Sequence, residues 1–357
     1  MSEIQKRKDE HLDIVLTAEA ARNQMPSAFA DVRFEHNALP EIDLADIDLS
    51  ASFLGRRLAA PLLVSSMTGG PAKAEALNRH IAEACGQLGL AFGVGSQRIA
   101  LEGQGAAGFG RDLRAAAPDA VILANFGAAQ LKAWPGAEMA ERAIDMIDAD
   151  GLIIHLNPLQ EAVQAGGDTD WSGLLSRIDA ICRACPRPVI VKEVGAGISA
   201  NLARRLVDAG VTAIDVAGLG GTNWAIVEAA RAPTADQRAI GEAFADWGIP
   251  TADSIAAVRT ACPDALVIGS GGIRDGVDCA KAIRLGADIT GLAGSVLESA
   301  VASPEAMVAR LAVIIAQLRI ACFCTSSRTL ADLRQAPLLS ALPSWQAPPL
   351  PSERSSP

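Results

Sequence analysis

Eight short aliphatic runs, each ending in glycine or polar residues, constrain this chain more than any other feature. They are PLLVSS (61–66), LAFGVG (90–95), AVILAN (120–125), GLIIHL (151–156), PVIVKE (188–193), TAIDVA (212–217), ALVIGS (265–270) and DITGLA (288–293). Continuous apolar runs of this length suit strands buried on both faces, and such strands pair in parallel. Amphipathic stretches such as AEALNRHIAEACGQLG and DGVDCAKAIRLGAD separate most of them. Eight strand–helix units in about 250 residues is the arithmetic of an α/β fold, the (β/α)8 TIM barrel. An open doubly wound sheet is the alternative, because a strand count does not prove closure.

The barrel is expected over residues 61–336. Residues 1–60 form an N-terminal arm and lead-in, with a charged helical start (EIQKRKDEHLDIVLTAEAAR) and an acidic stretch (EIDLADIDLSASFLG). Residues 337–357 hold six of the 19 prolines and are expected to be a disordered tail. The long stretch Arg231 to Thr251, between the sixth and seventh strands, is a candidate lid.

Composition excludes several function classes. A formal charge of −10 leaves no basic excess to bind nucleic acid or an anionic membrane surface. The longest apolar run, Leu311 to Leu318, contains Gln317, is flanked by Arg310 and Arg319, and falls short of a bilayer span. The start, MSEIQKRKDE, contains no secretory apolar region. Seven scattered cysteines, an odd number, point to reduced thiols and a cytoplasmic location. Cys182 and Cys185 form a C-x-x-C at a helix end, without the second pair or nearby His of a metal site.

In such barrels chemistry collects where strands end. The ends after the seventh and eighth strands, SGGIRDG (270–276) and LAGS (292–295), carry Gly271, Gly272, Ala293 and Gly294, bare backbone for a phosphate, with Arg274 as a forked donor. Lys192, following PVIV, is expected in the barrel mouth, to carry a Schiff base, donate a proton or neutralise an anionic ligand. Asn125 and Ser96 are placed to hydrogen-bond a planar heterocycle. The fourth end, HLNPLQE (155–161), gathers His155, Asn157, Gln160 and Glu161. One carboxylate beside an amide oxygen suits Mg2+ when the substrate brings phosphate, and suits zinc poorly.

Together the loops resemble the type 2 isopentenyl-diphosphate isomerases, which are FMN-dependent barrels. The matching segments are RKDEHL (7–12), SSMTGG (65–70), GVGSQR (93–98), HLNPLQE (155–161), VKEVG (191–195), AGLGGTNW (217–224), SGGIR (270–274) and LAG (292–294). The resemblance implies interconversion of isopentenyl and dimethylallyl diphosphate with reduced FMN and Mg2+, NADPH being the reductant. It implies that Ser66, Met67 and Thr68 line the flavin, and that Ser96, Asn125, Lys192 and Thr222 bond its ring and ribityl chain. Gly272, Ile273, Arg274, Ala293 and Gly294 would hold its phosphate. Arg7, Lys8, Ser96, Gln97, Arg98 and Gln160 would bind substrate, His155 and Asn157 completing the wall, and Glu161 would hold Mg2+. Gln160 is the expected catalytic residue alongside the reduced flavin. The family also implies a homo-oligomer, a tetramer or octamer, in which the arm completes a neighbour's site.

Three rivals use similar barrels. A 2-hydroxy-acid oxidase would place a catalytic His and Arg after the sixth strand, where AGLGGTNW has neither. An inosine-nucleotide dehydrogenase would want a nucleophilic Cys in that loop, and Cys262 and Cys279 lie elsewhere. A non-catalytic flavin-binding barrel would bind FMN without turning over any diphosphate.

Overall fold

The computed structural model describes residues 10–11, 14–16, 27–67, 73–103, 105 and 108–339. A hairpin of β1 (Ala51–Phe53) and β2 (Arg56–Leu58) precedes the barrel. Its two-residue turn places Leu54 and Gly55 at positive φ, the backbone twist that tight hairpins favour. Eight parallel strands then close in chain order. They are β3 (Leu62–Val64), β4 (Ala91–Gly93), β5 (Val121–Gly127), β6 (Gly151–Leu156), β7 (Val189–Glu193), β8 (Ala213–Asp215), β9 (Leu266–Ser270) and β10 (Ile289–Leu292), with β10 returning to β3. Each aliphatic run supplies one strand, and the closed ring rules out the open sheet.

The runs are continuous because both strand faces are dry. On β7, Val189 and Val191 face the surrounding helices, while Ile190 belongs to a separate cluster inside the barrel. That inner cluster takes a residue from every strand, Leu63, Ala91, Leu123, Ile153, Ile190, Ala213, Ile268 and Ile289, with Val121 as a second from β5. Phe53 and Leu58 of the hairpin join it from below. Arg56 anchors the hairpin there, donating from Nη1 to Asp150 Oδ1 (2.9 Å) and from Nη2 to the Asp119 carbonyl (3.3 Å) at the strands' N-terminal ends. The hairpin closes the floor, so the open end is the one where the strands finish.

The helix Pro304–Cys324 follows the last strand–helix unit, with Pro304 in its first turn and the Ser303 hydroxyl accepting from the Ala306 N–H. With 21 residues, and an 18-residue stretch of mean hydropathy 1.9, it is long and apolar enough to cross a membrane by length and composition, which the broken run 311–318 did not suggest. Here Met307, Leu311, Ile314, Leu318 and Cys322 form a helical stripe buried against the barrel's outer helices.

One boundary expectation changes. Residues 337–339 belong to the folded body, since Leu338 bridges to Phe34, Leu339 N–H donates to the Arg33 carbonyl (2.8 Å) and Glu35 N–H to the Pro337 carbonyl (2.9 Å). The remainder of the expected tail, 340–357, lies outside the described residues, as does most of the charged start. The candidate lid forms a helix, Ala235–Glu242, capped by Thr234. It is tied at its base by Asn223 Nδ2, which donates to the Phe244 and Ala245 carbonyls, and it exposes Ile240 and Trp247.

Candidate active site

The strand period of two dictates what stands above the apolar interior. Two residues beyond each inner residue lie Ser65, Gly93, Asn125, His155, Lys192, Asp215, Ser270 and Gly291, so every strand switches from apolar to polar or glycine at the same step. The glycines are steric. A Cβ at Gly93 would lie 2.6 Å from Ser66 Oγ, and one at Gly291 would lie 2.6 Å from Ser65 Oγ and Ser270 Cβ. This tier is the base of a cavity of about 540 Å3, a size usual for small-molecule and cofactor sites.

Lys192 and Asp215 are register partners on β7 and β8. Lys192 Nζ donates to the Glu193 carbonyl (2.8 Å) and lies 3.8 Å from Asp215 Oδ2, both side chains being buried. Asp215 Oδ1 accepts from Ser270 Oγ (2.5 Å). Glu193 points away from the cavity and accepts three backbone N–H bonds, from Val194, Gly195 and Ala196. Burial pushes its carboxyl upward against those bonds. This carboxylate fixes the turn that carries Lys192. On the other side, His155 Nδ1 meets Asn125 Oδ1 at 2.9 Å. A Cβ at Gly127, opposite His155, would stand 2.9 Å from His155 Nε2, so that glycine makes room for the ring.

Pro158 opens a short helix, Pro158–Val163, directly after β6 and swings Gln160 and Glu161 toward the cavity. Asn157 Nδ2 donates to Gln160 Oε1 (3.2 Å) and Glu161 Oε1 (3.0 Å), while Glu161 Oε2 accepts from the Asp168 N–H (2.8 Å). Gln160 Nε2 donates to Glu228 Oε1 (2.9 Å). Glu228, buried on the helix Trp224–Ala230, also meets His11 Nε2 (2.9 Å) and Arg231 Nη1 (2.9 Å), and Arg231 Nε donates to Glu10. His11 stands edge-on to Trp224. Burial alone would raise the Glu228 carboxyl, but His11, the Gln160 amide and Arg231 together hold it below the ordinary carboxylate range.

The end expected to hold phosphate is built from glycine against glycine. A Cβ on Gly271 would overlap Gly218, one on Gly272 would overlap the Gly220 carbonyl, and one on Gly221 would lie 2.7 Å from the Gly272 nitrogen. The loops after β8 and β9 therefore touch backbone to backbone. At Gly294, by contrast, a Cβ would meet nothing within 4 Å, which leaves its backbone facing the cavity.

Most expected residues converge on this cavity. Ser66, Met67, Ser96, Asn125, Lys192 and Thr222 line it, as do Gly272, Ile273, Arg274, Ala293 and Gly294. Arg98, His155, Asn157, Gln160 and Glu161 form the opposing wall. The Gln97 side chain does not reach it, contrary to the expectation that it binds substrate. Its side chain is fully buried behind β5, where Nε2 donates to the Ala143 carbonyl (2.9 Å) and Oε1 accepts from the Asn125 N–H (2.9 Å). It props Asn125 instead. Arg7, Lys8 and Thr68 lie outside the described residues. The arm's His11, Val15 and Leu16 line this chain's own cavity. Sequence reading missed Glu228, Asp215, Ser65 and Arg310. Only Asp215 and Ser65 carried a signal, the period-two step beyond an inner apolar residue.

The cavity wall fits a polar, phosphorylated cofactor. Five buried side-chain polar atoms lack a partner among the described residues, and four of them line this cavity: Ser65 Oγ, Ser66 Oγ, Asn157 Oδ1 and Ser295 Oγ. No group of three His, Cys, Asp or Glu capable of holding a metal occurs among the described residues. A cation here would rely on the Glu161 carboxylate, the Asn157 amide oxygen and oxygens of the ligand.

Residues 2–103 and 155–339 match the family model described as FMN-dependent dehydrogenase. The chain is 61% identical over 333 residues to an isopentenyl-diphosphate delta-isomerase of Stutzerimonas stutzeri (strain A1501), covering 93% of this chain and 96% of the relative. It is 56% identical to one of Xanthobacter autotrophicus (strain ATCC BAA-1158 / Py2), covering 93% and 97%. Among solved structures, mandelate oxidase with benzoyl-formic acid superposes with a TM-score of 0.62 at 16% identity, covering 93% of each chain, a likeness of fold. The chain belongs to the FMN-dependent dehydrogenase family and, within it, to the isopentenyl-diphosphate delta-isomerases.

Proposed function

We propose that this protein interconverts isopentenyl and dimethylallyl diphosphate, binding FMN in the cavity and working with the flavin reduced, with Mg2+ present and NADPH as reductant. The observation that carries the reading is the wall after β6, where Asn157, Gln160 and Glu161 face a cavity whose opposite end is a glycine-rich phosphate cradle. Moving a double bond requires a proton delivered to one carbon and another removed elsewhere. When bound, the reduced flavin supplies proton transfer at its ring nitrogens.

The chain's own residues then bind and orient. Lys192 brings a cation to the cavity base, neutralised from behind by Asp215. Glu161 and Asn157 Oδ1 would hold Mg2+ against the diphosphate. Gln160 is held between Asn157 and the ionised Glu228, so its amide is fixed in orientation and connected to a buried carboxylate. That arrangement suits substrate positioning or proton relay. A homo-oligomer and a cytoplasmic location form part of this reading.

A 2-hydroxy-acid oxidase shares the fold of the solved neighbours. The end of β8 nevertheless presents Gly218, Gly220, Gly221 and Thr222 to the cavity, with no His or Arg in the loop, which favours the isomerase. The test is an anaerobic assay of purified protein with FMN, Mg2+ and isopentenyl diphosphate, with and without NADPH or dithionite. Dimethylallyl diphosphate formed only with reduced flavin supports the proposal. Bound flavin with no product overturns it in favour of an oxidase or a binding protein.

A further inference from the structure

The two loops at this end of the cavity come from different strands. The loop after β9 contains Arg274, and the loop after β10 runs through Ala293 and Gly294 to Ser295. Arg310 belongs to neither loop. It projects from the second turn of the helix Pro304–Cys324 and lines the cavity. Its Nε donates to the Ser295 carbonyl (3.1 Å) and its Nη2 to the Arg274 carbonyl (2.8 Å).

Nε and Nη2 lie along one edge of a rigid planar group, so a single guanidinium sets the spacing between the two loops. The carbonyls it takes are the wrong groups for an anion site, since a free carbonyl oxygen repels phosphate. Occupying both with a fixed cation removes that repulsion and adds positive charge beside Arg274. A ligand is indicated independently of Arg310. The Ser295 hydroxyl is buried without a partner among the described residues, and the backbone at Gly294 faces the cavity.

We propose that Arg310 is the positioning residue for the phosphate of the cofactor: a clamp that holds the β9 and β10 loops at the separation a phosphate monoester requires. This rests on the flavin reading above. It distinguishes Arg310, which acts through the loops, from Arg274, which is expected to touch the phosphate.

The experiment compares FMN with riboflavin, which lacks only the phosphate, by fluorescence titration of the apoprotein for the unaltered chain, Arg310→Ala and Arg310→Lys. The unaltered chain is expected to prefer FMN. Arg310→Ala should weaken FMN about tenfold and leave riboflavin within about twofold. Arg310→Lys keeps the charge and much of the volume but offers no edge, so it should recover only a minor part of the loss. An unaltered chain that binds both flavins equally, or neither, would sink the flavin–phosphate reading itself. A preference for FMN combined with equal losses of both flavins in Arg310→Ala overturns the clamp, because that is general destabilisation. Full recovery in Arg310→Lys overturns it too, because charge alone would then suffice. Should Arg310→Ala not fold, the lysine variant decides the matter on the same two flavins.

Discussion

At the scale of single residues, the Lys192–Asp215 pair is buried at the base of the site. Two charges have left water, and removing one strands the other. Lys192→Met should therefore lower stability by about 3 kcal/mol, and adding Asp215→Asn should restore a substantial part. Denaturant melts of the two single variants and the double variant measure this coupling, and simple additivity would argue against a pair. Gln160→Ala makes a different demand. Flavin should still bind, while turnover falls by about two orders of magnitude or more, the usual worth of a positioned proton-transfer group. Near-normal turnover would remove Gln160 from the chemistry.

Elements act through backbone approach. The loops after β8 and β9 meet at Gly220, Gly221 and Gly272, and Gly272 also has φ +75. Gly272→Ala should cost about 3 kcal/mol and abolish FMN binding, since its Cβ cannot avoid the Gly220 carbonyl. Calorimetric unfolding and flavin titration check both halves. The strands were legible because parallel barrel strands are apolar on both faces, and Lys192 was legible because it stands two residues past the inward Ile190. Glu228 was not. It sits inside an ordinary helical turn, and its importance comes from His11, which lies far away in the chain. Gln97 was misread because it stands between two cavity-lining residues, Ser96 and Arg98, while its own side chain turns behind β5. Arg310 gave no local signal either, since its partners are carbonyls rather than side chains.

For the molecule as a whole, one link between the N-terminal segment and the barrel runs through Glu228, which joins His11, Arg231 and Gln160. Its folded pKa is depressed, so its contribution is present above the ordinary carboxylate value and is lost as pH falls through the lower, folded value. The segment should release in acid below about pH 4.5, seen as a change in fluorescence of Trp224, which His11 contacts edge-on, and Glu228→Gln should remove that transition. No change in the unaltered protein would mean that other contacts hold the segment. The hairpin plugging the lower end of the barrel has its own consequence for traffic. A vessel with one opening loads in order and unloads in reverse, so whatever rests on the polar tier must enter first, and a second guest above it becomes its stopper. Cofactor exchange should therefore slow while substrate is bound, although the two need never compete for the same atoms.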